Sequence, residues 1–341
     1  MKIFPIFIPN LGCPGGCLYC DQRLNSGVAQ APTPEEIAER LKQQLPEAGL
    51  DQIAFYGGSF TALSLSLQNN YLQAVQPFLG SGQVDSLRIS TRPDCIDGAS
   101  AARLRRFGVK TVELGCQSFS DRVLAASGRG CRADSFPLAV TVLRDAGLSV
   151  GIQLMPGLPA GTDDEARNSL LSALMLKPDF LRIYPTVVLA GTRLAIDWQD
   201  RRYRAMSLDH AVDLCADLAL ICHEAEVPVI RFGLQASVDL DANGVLAGPY
   251  HPAFGQLVQS SLWLRAMRRL LAGRQTHVIQ VHPHDLSTAL GQRRSNLGRL
   301  HQQNPDLTIE PCNMLTRGQI QIEQTTVEMM AFAAGTGDRF E

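Results

Sequence analysis

Short apolar runs alternate along most of the chain with longer stretches whose apolar residues recur at helical spacing. The runs at 3–8, 52–56, 86–90, 111–115, 149–155, 180–184 and 228–232 read as strands. Between them, amphipathic patterns at 65–79, 99–107, 135–146, 163–176 and 208–225 read as helices, and another begins at Thr33-Pro34-Glu35-Glu36. There Thr33 is a candidate N-cap, Pro34 occupies the first helical position, and the glutamates complement the helix dipole. Strand–helix alternation at this spacing predicts parallel βαβ units, because a parallel neighbour is reached only by a crossover. Six repeats plus a further strand fit a partial or full β/α barrel better than an open two-sided sheet. Periodicity alone does not choose between the two.

The pattern changes after Gln235. Asp239-Leu240-Asp241-Ala242-Asn243-Gly244 is a polar turn, and Gly248-Pro249-Tyr250-His251-Pro252 is a second cluster of breakers. Residues 253–272 then read as one helix, with Leu257, Leu262, Leu264, Met267, Leu270 and Leu271 as its apolar positions. The remainder reads as strand 276–281, helix 285–301, strand 307–310 and strand 319–323. The expected organisation is α/β: a partial barrel over 1–235, a linker and helix extension over 236–273, and a small α/β domain over 274–341.

At 341 residues, 45% of them apolar and 19% charged, the chain is long enough for one large core and a small appendage. The net charge of −2 carries no nucleic-acid signature, though it leaves room for local basic patches. His277, His282 and His284 with Arg293, Arg294 and Arg299 make the last segment locally basic, either a phosphate contact at 292–296 or a solvated helix face. No stretch has the apolar length of a membrane span, and the first residues lack a signal-peptide layout. The nine cysteines are odd in number and are not spaced like a disulfide framework, which predicts a reducing, cytoplasmic setting.

Cys13, Cys17 and Cys20 share one loop, directly after the first strand. Three thiolates are one fewer than a closed tetrahedral metal site needs, so a cluster bound here keeps one position open for chemistry. A structural zinc with a fourth ligand from elsewhere is the plainer alternative. Such sites usually use two Cys-x2-Cys pairs, and no second pair exists. Tyr19 precedes the last cysteine, and glycines surround the first two. On these residues the loop resembles the radical S-adenosylmethionine (radical SAM) superfamily. The resemblance implies that Cys13, Cys17 and Cys20 bind a 4Fe-4S cluster and that the open iron takes the amino and carboxylate groups of SAM. It further implies that an external electron donor of the flavodoxin or ferredoxin type drives cleavage to a 5′-deoxyadenosyl radical.

The ends of the later strands carry unusual strings. They are Gly57-Gly58-Ser59-Phe60-Thr61, Ser90-Thr91-Arg92-Pro93-Asp94, Glu113-Leu114-Gly115-Cys116-Gln117-Ser118-Phe119, Gln153-Leu154-Met155-Pro156-Gly157-Leu158-Pro159 and Arg182-Ile183-Tyr184-Pro185-Thr186. In a β/α barrel such ends meet at one mouth. The glycine pair is either an ordinary tight turn or a close backbone approach to a ligand. Glu113 either pairs internally with Arg92 or Arg182, or meets a ligand. Cys95 and Cys116 read as small core residues, with a ligand or hydrogen-donor role as the alternative, and Cys215 and Cys222 read as core.

Taken together these strings, with Arg231-Phe232-Gly233-Leu234-Gln235, resemble the radical SAM region of the Elongator-like subfamily over roughly residues 1–260. The resemblance implies a partial TIM-like barrel of six units. It also implies SAM contacts from Tyr19, Gly57, Gly58, Ser59, Arg92, Glu113, Gln117, Gln153 and Arg182, and a tRNA nucleoside as a candidate substrate. Ser59 stands where the wider superfamily has an acidic residue. No acetyl-CoA pyrophosphate loop is found, so the acetyltransferase half of that subfamily is not expected here. No catalytic residue is singled out. The rival reading is a nucleic-acid-binding or scaffold protein with a structural zinc or an inert iron–sulfur cluster.

Overall fold

A computed structural model describes residues 2–13, 15–46, 48–235, 240, 244–274 and 276–335. Pro14 of the cysteine loop, and Asp239, Asp241, Ala242 and Asn243 of the expected polar turn, lie outside the described residues. The chain divides into two compact units, residues 1–206 with 227–250, and 207–226 with 251–341.

In the first unit β1 (Ile3–Phe7), β2 (Leu50–Tyr56), β3 (Val84–Thr91), β4 (Val109–Gln117), β5 (Ser149–Leu154) and β6 (Phe180–Ile183) are followed by a short β7 (Val188–Leu189), by β8 (Val229–Phe232) and by β9 (Val245–Ala247), which pairs with β7. Seven of these form one parallel sheet in the order β1-β2-β3-β4-β5-β6-β8. The order never reverses, so the strands curl one way into a half-barrel and make no doubly wound switch point. That decides the choice periodicity left open. One residue set of the strands is apolar and buried, including Ile53, Phe55, Leu87, Ile89, Val112, Leu114, Ile152, Leu181 and Ile183. The alternate set carries the polar side chains, among them Gln52, Ser86, Arg88, Thr111, Glu113 and Arg182.

Helix α1 (Gln22–Ser26) is followed by α2 (Pro34–Gln44), α3 (Leu65–Gly80), α4 (Gly98–Arg106), α5 (Asp121–Ala126), α6 (Ser135–Asp145), α7 (Asp163–Met175) and α8 (Arg193–Gln199). Thr33 caps α2 as its sequence predicts: its hydroxyl accepts from the Glu36 N–H, and the Glu36 carboxylate takes the Thr33 N–H at 2.8 Å. Helices α1, α5 and α8 have 5, 6 and 7 residues, too few turns for periodicity to register.

In the second unit α9 (Leu208–Glu224) packs with α10 (Phe254–Leu271), and Arg265 reaches Asp217 at 2.6 Å and the Asp213 carbonyl at 3.0 Å. A mixed sheet of β10 (Val278–Val281), β11 (Thr308–Pro311), β12 (Gln319–Ile322) and β13 (Thr325–Glu328) runs in the order β11-β10-β12-β13. The single helix expected over 285–301 is broken into α11 (Leu286–Leu290) and α12 (Ser295–His301). Arg293 and Arg294 between them are left-handed, with φ of 51° and 61°. Among the described residues no helix is long and apolar enough to cross a membrane.

Candidate active site

The cysteine loop leaves β1 and is clamped by two backbone crossings that only glycine permits. On its first leg the Ser59 N–H donates to the Leu11 carbonyl at 2.9 Å. A Cβ on Gly58 would stand 2.4 Å from that carbonyl oxygen, and one on Gly12 would stand 2.3 Å from the Ser59 oxygen. On the second leg the Leu18 N–H donates to the Ser127 carbonyl at 2.9 Å, and a Cβ on Gly128 would meet the Gly16 oxygen at 2.3 Å. Arg193 of α8 also donates to the Gly16 carbonyl, and the Leu194 N–H donates to Leu18 at 2.8 Å. The Gly57-Gly58 pair is therefore needed first for packing: Gly58 for the crossing, and Gly57 for its φ of +89°.

Arg129, which follows the second crossing, is the residue that pattern reading missed. It is buried, its Nη1 reaches the Cys17 sulfur at 3.8 Å, and its Nη2 donates to the Gly115 carbonyl at 2.5 Å. Burial works against its charge, but Tyr19, Cys17 and Cys131 around it hold its pKa above the ordinary arginine value. Burial pushes the Cys13 thiol up, and Arg129 partly offsets this. Cys20 keeps surface open to solvent, and burial of its sulfur together with Cys17 and Cys13 pushes the thiol up to about 12. Tyr19 is buried against Cys17. No pattern in one sequence marks Arg129; the only hint is a lone cation set between Gly128 and Gly130.

These residues suit an iron–sulfur cluster. All the cysteines are free thiols, the loop's two legs are fixed, and a buried cation stands by to offset thiolate charge. Among the described residues no three His, Cys, Asp or Glu side chains are gathered closely enough to hold an ion as they stand, so binding would draw the thiols inward.

The inner face of the half-barrel carries a polar network. Arg88 is fully buried and pairs with Glu113 at 2.7 Å, and its Nε donates to Gln52 at 2.7 Å. Gln52 in turn donates to Ser86 and Thr111 at 3.1 and 3.0 Å. The other Glu113 oxygen lies 3.0 Å from the Arg182 Nε, a contact of charge whose N–H is not aimed at it. Tyr56 donates to Glu113 at 3.2 Å, and Arg182 donates to Tyr56 at 3.1 Å and Tyr184 at 2.9 Å. Arg88 also lies over the Phe180 ring, 5.0 Å from its centre. So Glu113 pairs with Arg182, one of its two expected partners, and with Arg88, which was not foreseen. The signal for Arg88 was present: a charge alternating with Leu87 and Ile89 must find a partner.

Arg92 pairs instead with Asp94, its Nε and Nη2 at 2.9 and 2.6 Å from the two carboxylate oxygens. Ser59 is buried, accepts from the Arg92 N–H at 3.2 Å and lies 3.2 Å from the Thr91 hydroxyl, which ties the ends of β2 and β3 together. Gln117 ends β4 in the left-handed region, φ 72°, just past a register shift. Gln153 donates to its side-chain oxygen at 3.1 Å. A non-glycine residue held there stores about 1–3 kcal/mol, a device common at ligand sites. Cys116 is fully buried with its thiol pushed up by burial, as a core cysteine should be, and Cys95 is half-buried.

The sequence matches the radical SAM superfamily over residues 7–173 and the Radical_SAM C-terminal domain over 178–263. It is 27% identical over 249 residues to a tRNA uridine(34) acetyltransferase of Dehalococcoides mccartyi, covering 61% of this chain and 53% of that protein. It is 25% identical over 328 residues to Elongator complex protein 3 of Mus musculus, covering 86% of this chain and 58% of that protein. The chain thus spans about half the length of these curated relatives. Among solved structures, archaeal Methanocaldococcus infernus Elp3 with an N-terminal deletion superposes with a TM-score of 0.59 at 20% identity, over 76% of this chain and 62% of that one. That likeness is one of fold.

Proposed function

Because the chain belongs to the radical SAM superfamily and is an enzyme of that class, we propose that it binds a 4Fe-4S cluster through Cys13, Cys17 and Cys20 and acts on a tRNA nucleoside. When bound, the cluster and SAM supply one-electron reductive cleavage to a 5′-deoxyadenosyl radical, with the electron coming from an external donor. The chain's own residues hold and shield. The glycine crossings fix the loop, Arg129 offsets charge at Cys17, and the apolar cluster of Tyr19, Val123, Leu158, Val188 and Leu194 keeps water from the loop's inner side. Gln117 and Gln153, with Gly57 and Arg92, stand at the strand ends where they can meet SAM. Glu113, Arg182 and Ser59 orient their neighbours. The tRNA reading rests on the name of the first relative, which is an analogy.

The observation that carries the proposal is the clamped three-thiol loop with a buried cation at its second thiol. The test is anaerobic reconstitution and an assay for dithionite-dependent 5′-deoxyadenosine. No product from protein with an intact cluster and bound SAM would overturn it. A modified tRNA nucleoside lost on deletion of the gene would identify the substrate, and an unchanged nucleoside profile would remove tRNA from the proposal.

A further inference from the structure

The last strand of the half-barrel is bulged. Leu181 pairs with Val229 and Arg182 pairs with Arg231, so the register skips Ile230. Ile230 is left 47% exposed on an edge strand, an unfavourable place for an isoleucine. Without the bulge Arg182 would lie opposite Ile230. With it, two arginines stand side by side on the inner face, where like charges in register repel. Among the described residues nothing neutralises the second one. Arg182 is occupied by Glu113, Tyr56 and Tyr184, and Glu113 is shared with Arg88. The Arg231 guanidinium makes no hydrogen bond or ion pair with any described residue, and its Nε is buried and unpartnered. Arg182, its partner in the register, donates to the Tyr184 hydroxyl at 2.9 Å, which sets that phenol on the neighbouring strand. The Tyr184 hydroxyl accepts from Arg182, which leaves its own proton free to donate.

We infer that Arg231 and the Tyr184 hydroxyl form a subsite for an anionic group, a carboxylate or a phosphate, carried by the molecule on which the enzyme acts. A guanidinium fork and a phenol O–H on neighbouring strands can together meet two oxygens of such a group. The bulge and the uncompensated cation are stability given up for that purpose. The inference rests on reading this mouth as the active site, not on the SAM chemistry.

The test uses the full chain without cluster, titrated separately with inorganic phosphate and with acetate by calorimetry and thermal melting. Wild type should bind at least one of them, and the tighter one identifies the class. Arg231→Gln should weaken that binding by about tenfold or more. Arg231→Lys should keep part of it, and Tyr184→Phe should lose part. With no anion present Arg231→Gln should melt no lower than wild type, because it removes an unpaired cation. A wild type that binds neither anion, or unchanged binding in Arg231→Gln, overturns the inference. So does a reconstituted Arg231→Gln that loses SAM in proportion, since the arginine then serves the cofactor. Anion binding that survives while no 5′-deoxyadenosine forms would sink the proposed reaction and leave this subsite standing.

Discussion

Replacing Glu113 by glutamine would leave Arg88 and Arg182 facing each other with no carboxylate between them, in side chains only 2% and 15% exposed. At an effective dielectric of about 20 the 2.7 Å contact with Arg88 is worth about 6 kcal/mol before desolvation. Desolvation already spent on the arginines is not recovered when the partner goes, so the expected net loss is about 3–5 kcal/mol. Glutamine keeps the shape and can still accept from Arg88, which favours the lower end. Urea unfolding followed by Trp198 fluorescence reads this in the first unit alone if both proteins carry Trp263→Phe, since these are the chain's 2 tryptophans. Pairing Glu113→Leu with Arg88→Met should recover part of the loss, because it removes one of the two cations left without a carboxylate. A loss below about 1 kcal/mol, with SAM binding by the reconstituted protein abolished, would refute the argument and make Glu113 a cofactor ligand.

Gly128→Ala and Gly58→Ala, each driving a methyl into a carbonyl oxygen, should destabilise by about 1–3 kcal/mol and sharply cut iron and sulfide per chain after anaerobic reconstitution; normal loading would refute the crossing as the loop's clamp. Gln117→Gly should melt at or above wild type by releasing about 1 kcal/mol of left-handed strain, whereas Gln117→Ala should melt below it. Burial pushes Cys222 up to about 12 from an ordinary value of 9.0. Its unfolded form therefore ionises first, and the stability it contributes is complete below pH 9 and is lost as pH rises towards 12. Unfolding midpoints measured across that range should fall less steeply in Cys222→Ala, and identical slopes would refute the assignment.

Much of the frame was legible because strands and helices announce themselves by local period. All seven barrel strands lie where the apolar runs do, and Thr33 caps α2 for reasons visible in four residues. The cysteine loop was legible because the spacing of three thiols along the chain is a local property. The break at Arg293 and Arg294 was not, since two arginines carry no turn signal of their own. The same holds for Glu113, whose partners Arg88 and Arg182 lie on different strands, and for Arg129, which reaches the Cys17 sulfur from 112 residues away.

By itself the sequence determined the α/β alternation, the three-thiol loop and the family they resemble, because period, capping and cysteine spacing act over a few neighbouring residues. Only the tertiary structure decided that the sheet curls without reversing and that Gly58 and Gly128 are there to let backbones cross. It also decided that Arg129 stands at the thiols and that a bulge sets Arg231 beside Arg182. Those facts depend on which strand lies next to which and on the exact register between them, and a register is a relation between distant segments that no local pattern records.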